Sequence, residues 1–173
     1  MKHLLYLRDL NKELINELLD LAEYFLSKNN NVSITEQVLQ GIDLANIFFE
    51  PSTRTRGSFQ IAAKKLGSNI LNIDEEHSSR IKGETIIDTI KTLEAMGVTY
   101  FIIRHKEKGF LETLKQKVDI DTHLINAGES SVSHPTQGLL DLLTIQRHKN
   151  GFENIKVTIV GDIKHSRVAR SLM

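Results

Sequence analysis

Cysteine is absent from the 173 residues. That excludes disulfides, thiolate metal sites and cysteine nucleophiles together, and it fits a reducing compartment. Neither sign of charge is in surplus, since 22 Lys and Arg side chains balance 22 Asp and Glu. Such a balance argues against a dedicated nucleic-acid binder or a membrane-surface protein, but not against a local basic pocket. No apolar run approaches membrane-spanning length. The apolar start around Leu4 and Leu5 is broken at once by Arg8 and Asp9, so no signal-peptide core is expected. These absences predict a soluble, cytoplasmic protein. Also missing are Gly-x-x-x-x-Gly-Lys-Ser/Thr and Gly-x-Gly-x-x-Gly, the two common cradles for nucleotide phosphates. Metal-ligand spacing of His and Glu is lacking too, so neither a metal nor a cofactor is expected.

What is present is an alternation of two periodicities. Leu10, Leu14, Leu18, Leu21 and Phe25 recur at helical spacing among acidic residues, and Asn29-Asn30-Asn31 reads as the end of that helix. Ile42 to Phe49 is a short apolar run with the look of a buried strand. Further strands are predicted at Asn69–Ile73, Thr99–Ile103, His123–Asn126 and Ile155–Val160. Helices are predicted at Thr53–Leu66, Glu84–Met96, Leu111–Lys117 and Thr136–His148, with Gly67, Gly97 and Asn150-Gly151 as stops. Alternating strands and helices predict an α/β fold: a mainly parallel sheet with helices on both faces. A boundary is expected at Asn150-Gly151. Beyond it come one strand and a partial helix, too little to bury their own faces, which reads as the cut-off start of a second α/β domain; that strand, Ile155–Val160, lacks its neighbours and is expected to be disordered, packed on the first domain or swapped with another chain.

Ligands of open parallel sheets bind beyond the carboxyl ends of the strands. Four polar clusters fall there. In Ser52-Thr53-Arg54-Thr55-Arg56, three hydroxyls and two guanidiniums follow a strand and open a helix, with Ser52 as the expected N-cap. Helix N-termini carry unsatisfied amides and a positive dipole end, and arginine suits phosphate geometry. Five consecutive donors at such a junction favour an anion site over a plain capped helix. Arg104-His105 follows the next strand, though alone it reads equally well as a solvated basic loop. Ser133-His134-Pro135-Thr136-Gln137 opens another helix. Taken alone, His134 reads better as a satisfied capping histidine. Ser78 to Glu84 is by default a solvated loop, and otherwise a mobile loop closing on an anion. The chain has only two prolines, Pro51 and Pro135, and each lies in one of these junctions.

The four clusters together resemble the aspartate and ornithine carbamoyltransferases. Phe48 to Arg56 is similar to that family's carbamoyl-phosphate signature. Ser78 to Glu84 resembles the mobile loop of its aspartate branch, His134 to Leu142 its next motif, and Val160 to Leu172 the first strand-to-helix turn of its aspartate domain. The resemblance runs over essentially the whole chain and, through the loop and the Arg167 turn, favours the aspartate branch over the ornithine branch.

The resemblance implies roles. Ser52, Thr53, Arg54 and Thr55 would hold the phosphate, with Thr55 also near the carbonyl oxygen. Arg104 would bridge phosphate and carbonyl oxygen, His134 would hydrogen-bond that oxygen, and Gln137 would hold the carbamoyl amide. Arg54, Thr55, Arg104 and His134 would be the catalytic set. Ser78 and Lys82 would reach a neighbouring subunit's site in a homotrimer, and Arg167 with Lys82 would bind L-aspartate. A regulatory chain is a further implied partner. The implied division is a carbamoyl-phosphate domain over 1–134, a connecting helix over 135–150 and the start of an aspartate domain over 151–173. Family members are about twice this length. The 173 residues alone are therefore expected to bind carbamoyl phosphate with little or no turnover, and a purely binding module stands as the alternative.

Overall fold

The computed structural model describes residues 1–28, 37–74 and 85–173. After a 3-10 turn at Leu7–Asp9 the elements run α1 (Lys12–Ser27), β1 (Asp43–Phe48), α2 (Thr53–Lys65), β2 (Asn69–Asp74), α3 (Ile86–Ala95), β3 (Tyr100–His105), α4 (Phe110–Lys115), β4 (His123–Glu129), α5 (Pro135–Lys149) and α6 (Arg167–Leu172). The expected Asn29-Asn30-Asn31 stop lies outside the described residues. Gly67 and Gly97 act as predicted. Each has a left-handed φ, +87° and +96°, and the following residue donates back into the helix: Ser68 N to Ala63 O at 3.0 Å and Val98 N to Leu93 O at 3.0 Å.

Four strands form one parallel sheet in the order β2-β1-β3-β4. The side-chain alternation of strands sorts its two faces. Leu44 and Phe48 of β1, Ile102 of β3 and Ala127 of β4 pack with Ala63 and Phe59 of α2. Ala45 and Ile47 of β1, Phe101 and Ile103 of β3 and Leu124 of β4 pack with Ile90 and Leu93 of α3 and Leu111 and Leu114 of α4. Helices thus cover both faces, as expected. From β1 the chain steps outward to β2, then returns across to β3. The direction of winding therefore reverses between β1 and β3, and the crevice beyond their carboxyl ends is where such sheets bind ligands.

One expected strand does not form. Residues 155–160 carry no strand, and Val157, Ile159 and Val160 are exposed, Val160 to 91%. The run has β-forming residues, but a strand exists only through ladder bonds to a neighbour, and no described strand lies beside it. The helix after it does form, as α6, and it packs on α5. Gly138 of α5 makes that approach possible. A Cβ there would meet Leu7 Cδ1 at 2.5 Å and Ser171 O at 3.1 Å. Gly138→Ala is expected to cost about 1–3 kcal/mol through overpacking, seen in thermal unfolding as a Tm several degrees lower.

Candidate functional site

The β1–α2 junction sits over the reversal point. Phe49 N donates to Arg104 O at 2.9 Å, which holds β1 and β3 together one residue past the end of β1. Glu50, Pro51 and Ser52 then turn the chain into α2. Beneath the first turn, the fully buried Asn46 donates from Nδ2 to Arg56 O at 3.3 Å and to Asn72 Oδ1 at 3.1 Å. Ser52 occupies the N-cap position, but its side chain makes no capping hydrogen bond. The N-cap thus falls at the expected residue, and its side chain leaves the first turn unbonded. The backbone there stands at φ −159°, ψ 83°, and among the described residues no side chain caps the first-turn amides of α2 beside the crevice. α5 repeats the arrangement: His134 is its N-cap residue, also without a side-chain cap bond, and Pro135 follows. Two helix N-termini with uncapped amides therefore meet at one place, and both dipoles favour an anion there.

The cations come from three segments. Arg54 is an exposed first-turn residue of α2. Arg104 lies on β3 on the α2 face, because it alternates with Ile102. Its neighbour His105 points to the opposite face, buried between Phe110 (3.9 Å, stacked) and Phe49 (5.0 Å, edge-on). Strand alternation thus resolves the Arg104-His105 pair into one cleft residue and one core residue. Arg167, the first residue of α6, reaches back over Gly128.

Glu50 joins two of these arginines. Its Oε2 lies 3.3 Å from Arg104 Nε and 3.4 Å from Arg167 Nη1. The Arg104 Nε–H does not align with that oxygen well enough for a hydrogen bond, so this contact is an ion pair. Arg104 Nη1 also donates to Ala127 O at 3.4 Å, and Arg167 Nη1 to Ser130 O at 2.9 Å. Burial, with the charge of Arg167 beside it, lowers the Arg104 pKa; an arginine remains charged regardless. Burial, then the charges of Arg167 and Arg104, push His134 down to about 4, so its ring is neutral at neutral pH. The backbone N–H of His134 donates to Ser171 Oγ at 2.8 Å, and Thr136 Oγ1 lies 3.4 Å from its Nδ1. Gln137 donates from Nε2 to Asp141 Oδ1 at 3.0 Å.

Ser52, Thr53, Arg54, Thr55, Arg104, His134, Gln137 and Arg167, all expected from the sequence, line one cleft of about 870 Å³. Ser78 and Lys82 lie outside the described residues. Three contributors went unread in the sequence. Glu50 carried a signal, standing just past a strand end and before a proline. Ser171 carried none. Gly128 adopts φ +115°, and a Cβ on it would meet Arg104 Nη1 at 3.0 Å and Arg167 Cζ and Nε at 3.3 Å. Gly128→Ala is expected to strain the backbone and displace both guanidiniums, at a cost of about 1–3 kcal/mol. Thermal unfolding of wild type and variant measures it.

The sequence of residues 2–147 matches the family described as aspartate/ornithine carbamoyltransferase, carbamoyl-P binding domain. The chain belongs to this family. An aspartate carbamoyltransferase catalytic subunit from Coxiella burnetii (strain Dugway 5J108-111) is 49% identical over 171 residues, which are 99% of this chain and 55% of that protein. The fold superposes on aspartate transcarbamoylase from Trypanosoma cruzi in complex with carbamoyl phosphate and aspartate, with TM-score 0.91 and 33% identity over 99% of this chain and 52% of the other. The catalytic subunit of the M. jannaschii aspartate transcarbamoylase gives 0.87 and 39% over 99% and 55%. The chain spans about half the length of the curated relatives it matches.

Proposed function

We propose that this chain supplies the carbamoyl-phosphate half of an aspartate carbamoyltransferase, which converts carbamoyl phosphate and L-aspartate to N-carbamoyl-L-aspartate and phosphate in pyrimidine biosynthesis. The observation that carries this reading is the meeting of two uncapped helix N-termini with Arg54, Arg104 and a neutral His134 in one cleft. On this reading, Ser52, Thr53, Arg54 and Thr55 hold the phosphate, and Arg104 spans phosphate and carbonyl oxygen. A neutral imidazole suits the hydrogen bond that His134 gives to the carbonyl oxygen. Gln137 holds the carbamoyl amide, and Arg167 takes a carboxylate of aspartate.

The chemistry needs no side-chain nucleophile. The aspartate amine attacks the carbonyl carbon, a C–N bond forms, and negative charge builds on the carbonyl oxygen. Arg104, Thr55 and His134 stabilise that charge; losing one such donor costs about 3–4 kcal/mol of barrier. The C–O bond to phosphate then breaks, and the departing phosphate takes the amine proton. Holding the two reactants in line supplies much of the remaining acceleration.

The same reading makes residues 1–134 the carbamoyl-phosphate domain, 135–150 a connecting helix and 151–173 the start of an aspartate-binding domain. It extends to a homotrimer in which Ser78 and Lys82 serve a neighbouring subunit, to a regulatory chain as a further partner, and to the cytoplasm as the location. Among the described residues no helix is long and apolar enough to cross a membrane. The 173 residues alone bind carbamoyl phosphate and turn over little. Isothermal titration with carbamoyl phosphate and a steady-state assay with aspartate test both halves of the proposal. Saturable binding that weakens in Arg54→Ala is expected. Heat unchanged by that substitution contradicts the site, and turnover near that of an intact relative contradicts the low activity.

A further inference from the structure

We propose that Glu129 is a buried positioning residue for the cleft: its carboxyl clamps the turn between β4 and α5 and thereby sets where Arg167 and the His134 ring stand. The binding readout below rests on the phosphate-site reading above; the other readout does not.

Ile103 pairs with Asn126, but His105 pairs with Glu129. Two steps along β3 thus match three along β4, which is a bulge of one residue. Bulges re-aim side chains. Regular alternation would send Glu129 to the α2 face with Ala127. With the extra residue, and with Gly128 at φ +115°, Glu129 turns instead to the face of His105 and Leu124. There its residue is 0% exposed. Its Oε1 accepts from Leu111 N at 2.9 Å, and its Oε2 from the Tyr6 hydroxyl at 3.4 Å.

The main chain of the same residue closes the turn. Glu129 N donates to Ser133 O at 2.9 Å, and Val132 N to Glu129 O at 2.9 Å. Inside the turn Ser130 stands at φ +46°. Its N–H donates to His105 O at 2.8 Å, and its carbonyl accepts from Arg167 Nη1 at 2.9 Å. His134 follows directly. The carboxyl therefore anchors, from the far side of the sheet, the turn whose near side presents Ser130 O to Arg167 and delivers His134 and the α5 N-terminus to the cleft.

Energetics point the same way. A buried carboxyl is costly, and an apolar side chain of similar volume often stabilises as well or better. Burial raises the Glu129 pKa, and the hydrogen bonds from Leu111, Tyr6 and Gly109 only partly offset it. What an apolar residue cannot do is accept the Leu111 N–H and so fix the direction in which the turn leaves the strand.

The test uses the 173-residue chain with Glu129→Leu, Glu129→Met and Glu129→Gln. Gln keeps an acceptor for Leu111 and serves as the conservative rescue. Two quantities are read: the titration midpoint of the His134 ring by NMR without ligand, and the affinity for inorganic phosphate by calorimetry. In the apolar variants we expect cooperative unfolding to persist, the His134 midpoint to rise by a unit or more from about 4, and phosphate affinity to fall about tenfold. Gln should leave both within twofold of wild type. A folded apolar variant with unchanged His134 midpoint and affinity overturns the proposal. So does failure of both apolar variants to fold while Gln folds, because the acceptor would then serve the fold and not the cleft. If wild type binds no phosphate, the site reading fails, and the ligand-free His134 midpoint still decides the role of Glu129.

Discussion

On the proposed phosphate site, replacing Arg104 with methionine is expected to weaken binding of inorganic phosphate and carbamoyl phosphate at neutral pH by about thirtyfold or more. The Arg104 side chain is only 11% exposed and lies 3.3 Å from Glu50, so its charge acts where water screens it little. Removing it deletes a donor fork and also leaves the Glu50 carboxylate with Arg167 alone, at 3.4 Å. An incoming anion would then meet a less compensated negative charge. Truncating one member of a buried charged pair costs about 2–5 kcal/mol, roughly thirtyfold to several thousandfold in affinity. Arg104→Lys should fall between wild type and methionine, since lysine keeps the charge but not the planar fork. Calorimetric titration of the three proteins gives the ordering. A methionine variant whose dissociation constant stays within threefold of wild type would remove Arg104 from the phosphate site.

The second large effect is on stability against pH, through His134. Its folded pKa is about 4, against the 6.5 of an unperturbed histidine. Between these values the unfolded chain binds a proton that the folded chain refuses, so folding stability rises with pH across the window. The stability tied to a neutral His134 is therefore fully present above pH 6.5 and is lost as pH falls toward 4. The pKa difference corresponds to about 3 kcal/mol over the whole window. Glu129 acts in the opposite sense. Its raised pKa means that the folded chain takes up that proton first, which favours folding as pH falls. The wild-type slope is a sum of such terms, and the difference between wild type and His134→Asn isolates the histidine. Urea unfolding at pH 7, 5.5 and 4.5 should give a flatter pH dependence in the variant. Parallel slopes for the two proteins would mean that His134 is not held neutral by its surroundings.

The helix positions, the glycine stops and the strands of the sheet were legible because they rest on local rules. Apolar spacing distinguishes a period of 3.6 from a period of 2, and glycine accepts the left-handed backbone at Gly67 and Gly97. The same rules misplaced a strand at 155–160. Pattern alone records β-forming residues, while a strand needs a partner at hydrogen-bonding distance. They placed the N-cap of α2 correctly at Ser52, but whether its side chain bonds back onto the helix is a tertiary matter, and here it does not.

By itself, the sequence determined the class of fold, the donor-rich junctions at Ser52–Arg56 and His134–Gln137, and through those motifs the family. Donor type and spacing along the chain are local properties, independent of how the chain folds. Only the tertiary structure decided which residues share the cleft. Arg104 was separated from His105 by the pleat of β3. Glu50 and Arg167, 117 positions apart, were brought together over Gly128. A one-residue bulge in β4 turned Glu129 to the far face. Each of these outcomes depends on register between strands distant in sequence, and a shift of one residue there exchanges the two faces of the sheet. No periodicity within a single segment records that register.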